Sequence, residues 1–397
     1  MNQSKLQKLY EQLNLTSVFS GVLEKPLFQA FFAYNQANTQ TEKRRAYAKF
    51  VSTLYEEGNG NLTRFTQKEV FEDENVYIKS VAHGEKCPSC IEKSVKRELE
   101  TFTEFSALKT EDFAKDLELL ETEIPAFESF NADMGALFRK RLKQIHKFGY
   151  GIFSSYGMFR LSDEKQIEPI ASADKIAVDS FIGYEEEREK VVANTRAFIE
   201  GKPAANVLLC GDAGTGKSST VKAVANAFFA EGVRLIELRK DQLRYLPFVM
   251  GKISANPLKF IIFIDDLSFN QNDDNFSMLK AALEGSASAK ADNAVIYATS
   301  NRRHIVKESF AERDGDDVHR NDTLQETLSL SERFGLVVLY SKPSKALYLK
   351  IVEELAKKHK IELSNAELSL QAEAFALRKG SRSARCAEQF IESLLSK

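Results

Sequence analysis

Residues 206–219 read Asn-Val-Leu-Leu-Cys-Gly-Asp-Ala-Gly-Thr-Gly-Lys-Ser-Ser, an apolar run that enters a glycine-rich turn and leaves it through Gly216, Lys217 and Ser218. The run Val207–Leu209 reads as a buried strand, and the stretch from Ser219 to Phe229 as the helix that follows. Between them Gly211, Gly214 and Gly216 supply φ angles that other residues avoid, so backbone N–H groups can close around an anion. Asp212, Ala213 and Thr215 complete the loop, and Ser219 follows it. Strand, loop and helix in this order are the pattern of a phosphate-binding loop. Lys217 is expected to reach the β- and γ-phosphates of a nucleoside triphosphate. Ser218 is expected to offer its hydroxyl to Mg²⁺, with the helix N-terminus aimed at the anion.

A second signature lies at Phe260-Ile-Ile-Phe-Ile-Asp-Asp266. A continuous apolar run suits a central parallel strand buried on both faces, and ligands bind at the carboxyl ends of such strands. Asp265 is expected to hold Mg²⁺, directly or through water, and Asp266 to orient or deprotonate an attacking water. The next strand candidate, Ala294–Thr299, leads to Asn301, whose amide suits a γ-phosphate sensor. Further on, Leu328-Ser-Leu-Ser-Glu-Arg-Phe-Gly335 places Arg333 just before the last strand.

Outward from these motifs the chain divides into three parts. Residues 1–170 read as a mostly helical domain and linker, with Leu6, Leu9, Tyr10 and Leu13, and later Phe113, Leu117, Leu119 and Leu120, at helical spacing. Breaks fall at Glu57–Gly60 and Pro88, a short extended piece at Gly151–Arg160, and a polar linker at Ser162–Ala173. Residues 171–340 alternate strands and helices, with strands at Val207–Leu209, Arg234–Leu238, Phe260–Ile264, Ala294–Thr299 and Leu336–Leu339. That order predicts a parallel sheet sandwiched by helices. Residues 341–397 predict three helices, Ser344–His359, Asn365–Lys379 and Ser383–Leu395, the second opened by a Ser364/Glu367 capping box.

The ordered set of phosphate loop, acidic strand end, polar strand end, Arg-Phe-Gly and small helical lid resembles the AAA+ ATPases over residues 178–397. The phrases Phe181-Ile-Gly-Tyr-Glu185, Ala298-Thr-Ser-Asn-Arg-Arg-His304 and Ser329-Leu-Ser-Glu-Arg-Phe-Gly335 resemble the bacterial family called domain of unknown function 815, of the same class. The resemblance implies a P-loop NTPase fold of AAA+ type with ATP and Mg²⁺ as cofactors. It makes Phe260–Asp266 a Walker B strand and Asn301 the sensor 1 residue. Arg333 becomes a finger reaching a neighbouring subunit's nucleotide, which implies a homo-oligomer. Ile182 and Gly183 match the segment that lines the adenine pocket. Arg382 and Arg385 both fit the sensor 2 arginine, and Arg382 is preferred.

Two departures qualify the family pattern. Most AAA+ motors have glutamate where Asp266 stands, and aspartate is shorter by about 1.5 Å. Arg244–Gly251 reads as a helix start, which leaves only Ser254–Pro257 before the next strand and counts against the aromatic loop of threading unfoldases. The expected function is ATP hydrolysis that remodels or regulates an unidentified protein or nucleic-acid client. A regulatory ATP switch with little turnover, and an initiator- or loader-type factor acting on nucleic acid, are the alternatives.

Composition sets the outer bounds. A net charge of −2 over 397 residues argues against bulk capture of nucleic acid. No apolar run approaches the roughly 20 residues a membrane span requires. The N-terminus lacks the apolar core of a signal peptide, so a cytoplasmic location is expected. Four cysteines do not suggest a disulfide scaffold. Cys87-Pro-Ser-Cys90 with His83 offers soft ligands at zinc-like spacing, or a redox pair, but an inert helix turn is preferred. Arg139–Lys147, flanked by Phe138 and Phe148, fits either a phosphate-contacting stripe or a solvated helix face with Leu142 and Ile145 turned inward. The acidic stretch Asp314–His319 could hold a cation or simply be an exposed loop.

Overall fold

The computed structural model describes residues 4–171, 177–267, 278–280, 283, 291–301 and 333–396. It divides into two compact units, Met1–Ser155 with Ala255–Pro257, and Tyr156–Ser254 with Leu258–Lys397.

The first unit is helical. Leu6, Leu9 and Leu13 fall on one face of the helix Lys5–Leu13 and are buried. The helix Gln40–Gly58 opens on a Thr39/Glu42 capping box and stops at Asn59 in the left-handed region, the break the Glu57–Gly60 stretch predicts. Phenylalanines dominate the interior. Phe28 stacks on Phe105 with centroids 4.7 Å apart, and Phe31 meets the same ring edge-on at 5.1 Å. The buried carboxylate of Glu98 would be costly alone. It accepts from the backbone N–H groups of Ser17, Val18 and Phe19 and from the Ser17 hydroxyl, all at 2.9–3.2 Å. One expected periodicity breaks. The helix Thr110–Leu117 ends as Glu118 turns left-handed, so Leu119 lies outside it and Leu120 is exposed.

The basic stretch forms the helices Met134–Leu142 and Ile145–Phe148. Phe138 is buried, and Leu142 and Ile145 pack against the core. Arg139, Lys140 and Lys143 are exposed. Arg141 instead lies between the rings of Phe71 and Phe148, 4.8 and 4.9 Å from their centroids. Burial lowers its pKa to about 10. Cys87 is buried beside Pro88, the N-cap of the helix Ser89–Ser106, and Cys90 is exposed in its first turn. All four cysteines are free thiols. Among the described residues no group of three His, Cys, Asp or Glu side chains could hold a metal ion.

The second unit is built on a sheet of seven described strands: β1 Met158–Leu161, β2 Ile167–Pro169, β3 Val207–Gly211, β4 Val233–Leu238, β5 Lys259–Ile264, β6 Ala294–Ser300 and β7 Leu336–Tyr340. Their spatial order is β2-β1-β4-β5-β6-β3-β7. Every pairing is parallel except β1 with β2. Residues 158–169, read from sequence as an extended piece and a linker, thus supply two strands. Pro169, half-exposed side chains and a polar turn hide β2 from pattern reading. The turn is held by Ser162 N–H donating to the Gln166 carbonyl at 2.8 Å.

All five residues of β3 are buried, as are five of six in β5, as central parallel strands require. The helices Glu185–Ile199 and Lys217–Ala227 pack Val191, Phe198, Val221 and Val224 onto the core with Val207, Leu209 and Tyr297. After β7 come three helices, Lys345–Lys358, Asn365–Lys379 and Ala384–Leu395, around Tyr348, Ile351, Ala372 and Phe390. The expected Ser364/Glu367 capping box is present. Among the described residues no helix is long and apolar enough to cross a membrane.

Candidate nucleotide site

Parallel pairing brings the carboxyl ends of β3, β5 and β6 to one edge of the sheet, and the Gly211–Ser218 loop rises there. Gly211 has φ 134°. A side chain at this position would collide with the Tyr340 carbonyl on β7, which accepts instead from the Asp212 N–H at 3.2 Å. Gly214 and Gly216 also have positive φ, 75° and 91°. Asp212 and Ala213 are exposed, Ser219 is half-buried, and Thr215 is buried with its hydroxyl donating to the Asp212 carbonyl at 2.9 Å. The helix Lys217–Ala227 starts directly behind the loop, so its free N–H groups face the same space.

Lys217 is buried. Its Nζ donates to the carbonyls of Gly211 and Asp212, at 3.1 and 2.7 Å, and to Asn301 Oδ1 at 3.1 Å. Burial holds its pKa below the ordinary lysine value, against the pull of nearby acidic groups led by Asp212. Ser218 Oγ donates to Asp265 Oδ1 at 2.6 Å. A hydroxyl and a carboxylate oxygen brought together in this way form a hard donor set that fits Mg²⁺.

Asp266 adopts φ 51°, a left-handed backbone that aspartate and asparagine enter more readily than other side-chain-bearing residues. Its backbone N–H is satisfied twice, by Thr299 Oγ1 at 2.9 Å and Asp265 Oδ1 at 3.1 Å. Its carboxylate accepts from Asn301 Nδ2 at 2.7 Å. Asn301 therefore touches both Lys217 and Asp266.

Ile182 and Gly183 lie just ahead of the helix Glu185–Ile199. They line a cleft together with Phe181, Tyr184, Thr215, Gly216, Thr220, Tyr340, Ile351 and Leu355. Gly183 has φ 80°, and a Cβ there would sit 2.6 Å from Leu347 Cδ1 of the first lid helix. The buried guanidinium of Arg188 fixes this segment by donating to the carbonyls of Gly183 and Phe181. The aromatic rings of Tyr184 and Tyr340 lie 5.2 Å apart, and the Tyr340 hydroxyl donates to Thr220 Oγ1 at 3.1 Å. Arg188 and Tyr340 stand in no sequence motif, and Thr299 enters the sequence reading only as the end of the strand Ala294–Thr299. An arginine one turn into a helix carries no motif, whereas Thr299 could have been found as the residue two before Asn301 on the same strand.

The two lid arginines differ. Arg382 forks onto Glu373, Nε to Oε1 at 3.0 Å and a terminal nitrogen to Oε2 at 2.8 Å, with Lys345 a further 3.7 Å partner of the same carboxylate. Arg385 instead donates its backbone N–H to the Gly214 carbonyl at 3.4 Å and is exposed. Arg333 is half-buried, next to the buried Phe334 that leads into β7. Leu328–Glu332 and the acidic stretch Asp314–His319 lie outside the described residues.

A mostly parallel sheet with the phosphate-type loop on its inner strand, an aspartate pair on the next strand but one and a helical lid defines a P-loop α/β fold of AAA+ type. The chain belongs to the family described as Protein of unknown function (DUF815), which matches residues 154–397. No curated protein matches the sequence. Among solved structures, the Thermotoga maritima RuvB Holliday junction branch migration motor is similar at 15% identity over 56% of this chain and 72% of that one, with a TM-score of 0.35. The AMPPCP-bound DnaA from Aquifex aeolicus is similar at 17% identity over 57% of this chain and 67% of that one, with a TM-score of 0.39.

Proposed function

We propose that the protein binds Mg-ATP at the Gly211–Ser218 loop and hydrolyses it. The observation that carries this reading is the convergence of Lys217, Asn301, Asp266, Asp265 and Ser218 in one chain of hydrogen bonds beside a loop with no room for side chains at Gly211. Ser218 and Asp265 are the residues that would hold Mg²⁺, which when bound neutralises charge on the phosphates. Gly211, Asp212, Ala213, Gly214, Thr215, Gly216, Lys217, Ser218 and Ser219 form the phosphate cradle, and Ile182 and Gly183 border the base. Asp266 accepts the proton of the attacking water, and Asn301 sets the positions of both Asp266 and Lys217. At the lid we assign the phosphate-sensing role to Arg385, because Arg382 is held by Glu373.

Arg333 completes the site of a neighbouring copy in a homo-oligomer, and turnover acts on a protein or nucleic-acid client. A second reading, an ATP switch with little turnover, is favoured by the short Asp266 side chain tied to Asn301. Phosphate release by the purified protein in Mg-ATP separates the two. Steady turnover that stops in Asp266→Asn supports the hydrolase, and tight ATP binding without turnover supports the switch.

A further inference from the structure

We infer that Thr299 is a positioning residue that fixes the metal-holding carboxylate and the water-activating residue relative to one another. This inference rests on the reading of Asp265 and Asp266 given above. Register makes it possible: Ile264 on β5 pairs with Ala298 on β6, so Asp265 emerges beside Thr299. The Thr299 side chain is buried. Its hydroxyl donates to Asp265 Oδ1 and accepts from the Asp266 backbone N–H at 2.9 Å. The Thr299 carbonyl also accepts from Leu267 N–H at 2.7 Å, so one residue holds the whole Asp265–Leu267 turn.

Three donors converge on Asp265 Oδ1: Ser218 Oγ, Thr299 Oγ1 and the Asp266 N–H. Ser218 is itself a metal-site residue, and the Asp266 N–H is shared with Thr299. The threonine hydroxyl is the donor that ties the carboxylate to the rigid centre of the sheet. It also supports the left-handed backbone of Asp266 (φ 51°), which directs that side chain toward Asn301. Partners that orient a metal's ligands typically change metal affinity or activity about 10–100-fold when removed. Thr299 has the place and the bonds for that work, two residues before Asn301 at the end of the same strand.

The test replaces the hydroxyl with a methyl group and then restores it. Full-length wild type, Thr299→Val and Thr299→Ser are titrated with a non-hydrolysable ATP analogue by calorimetry, once in EDTA and once across a Mg²⁺ series. Thr299→Val is expected to bind the analogue as wild type does in EDTA, which also reports an intact fold. It should need about 10–100-fold more Mg²⁺ for the metal-dependent gain in affinity. Thr299→Ser should restore the wild-type Mg²⁺ response. Thr299→Val with an unchanged Mg²⁺ response overturns the inference alone, as does equal loss of binding in EDTA, which marks a structural role. Wild type whose analogue binding ignores Mg²⁺ overturns the metal-site reading and the inference with it.

Discussion

Asn301 donates its amide to Asp266 Oδ1 at 2.7 Å while its carbonyl oxygen accepts from Lys217 at 3.1 Å. One side chain thus spans the residue proposed to bind the phosphate and the residue proposed to activate water.

Replacing Asp266 by Asn separates binding from chemistry. Asparagine tolerates the left-handed backbone that position 266 adopts, so the turn survives. Its amide cannot take a proton. Asp266→Asn should bind Mg-ATP normally and lose about 10²–10⁴-fold in phosphate release. An unchanged rate would place the base elsewhere.

Gly211→Ala probes the cradle itself. The new Cβ meets the Tyr340 carbonyl, and φ 134° is unfavourable for any other residue. Thermal unfolding should show a loss of about 1–3 kcal/mol, and ATP should no longer protect the protein against heat. Wild-type stability would show that the β3–β7 contact gives way freely.

The lid arginines are distinguishable by affinity. Arg385→Ala should weaken ATP binding by about 1.5–3 kcal/mol, the worth of a hydrogen bond to a charged group. Arg382→Ala should spare affinity, because that guanidinium serves Glu373. The opposite pattern in equilibrium titrations would return the role to Arg382.

The central strands and the loop were legible because their physics is local. Val207–Leu209 and Phe260–Ile264 are unbroken apolar runs, and Gly211, Gly214 and Gly216 stand where only glycine serves. The lid helices were legible through periodicity and the Ser364/Glu367 cap. The antiparallel β2 was not, because Ile167–Pro169 is short, polar and closed by a proline. Leu119 and Leu120 looked helical until Glu118 turned the chain. The contacts of Thr299 carry no local signal because register brings Asp265 beside it from another strand. The contact of Arg382 with Glu373, nine residues earlier, likewise carries no local signal.

Arg333 carries the prediction about assembly. Arginine fingers that act on a neighbour's nucleotide are worth about 10³–10⁵ in rate. Arg333→Ala should bind ATP normally and lose most hydrolysis. Mixed with Lys217→Ala, which keeps the finger, it should recover part of the activity. Confirmed mixed oligomers without recovery would count against a role in trans.

The claim beneath all of these is that Mg-ATP occupies the loop through Lys217. Calorimetric titration of Mg-ATP into wild type and Lys217→Ala tests it without requiring turnover or a client. Wild type should bind saturably, with a loss of about 100-fold or more in the variant, whose loop has lost its charge-assisted bond to the phosphates. Equal affinity in the two proteins would contradict it.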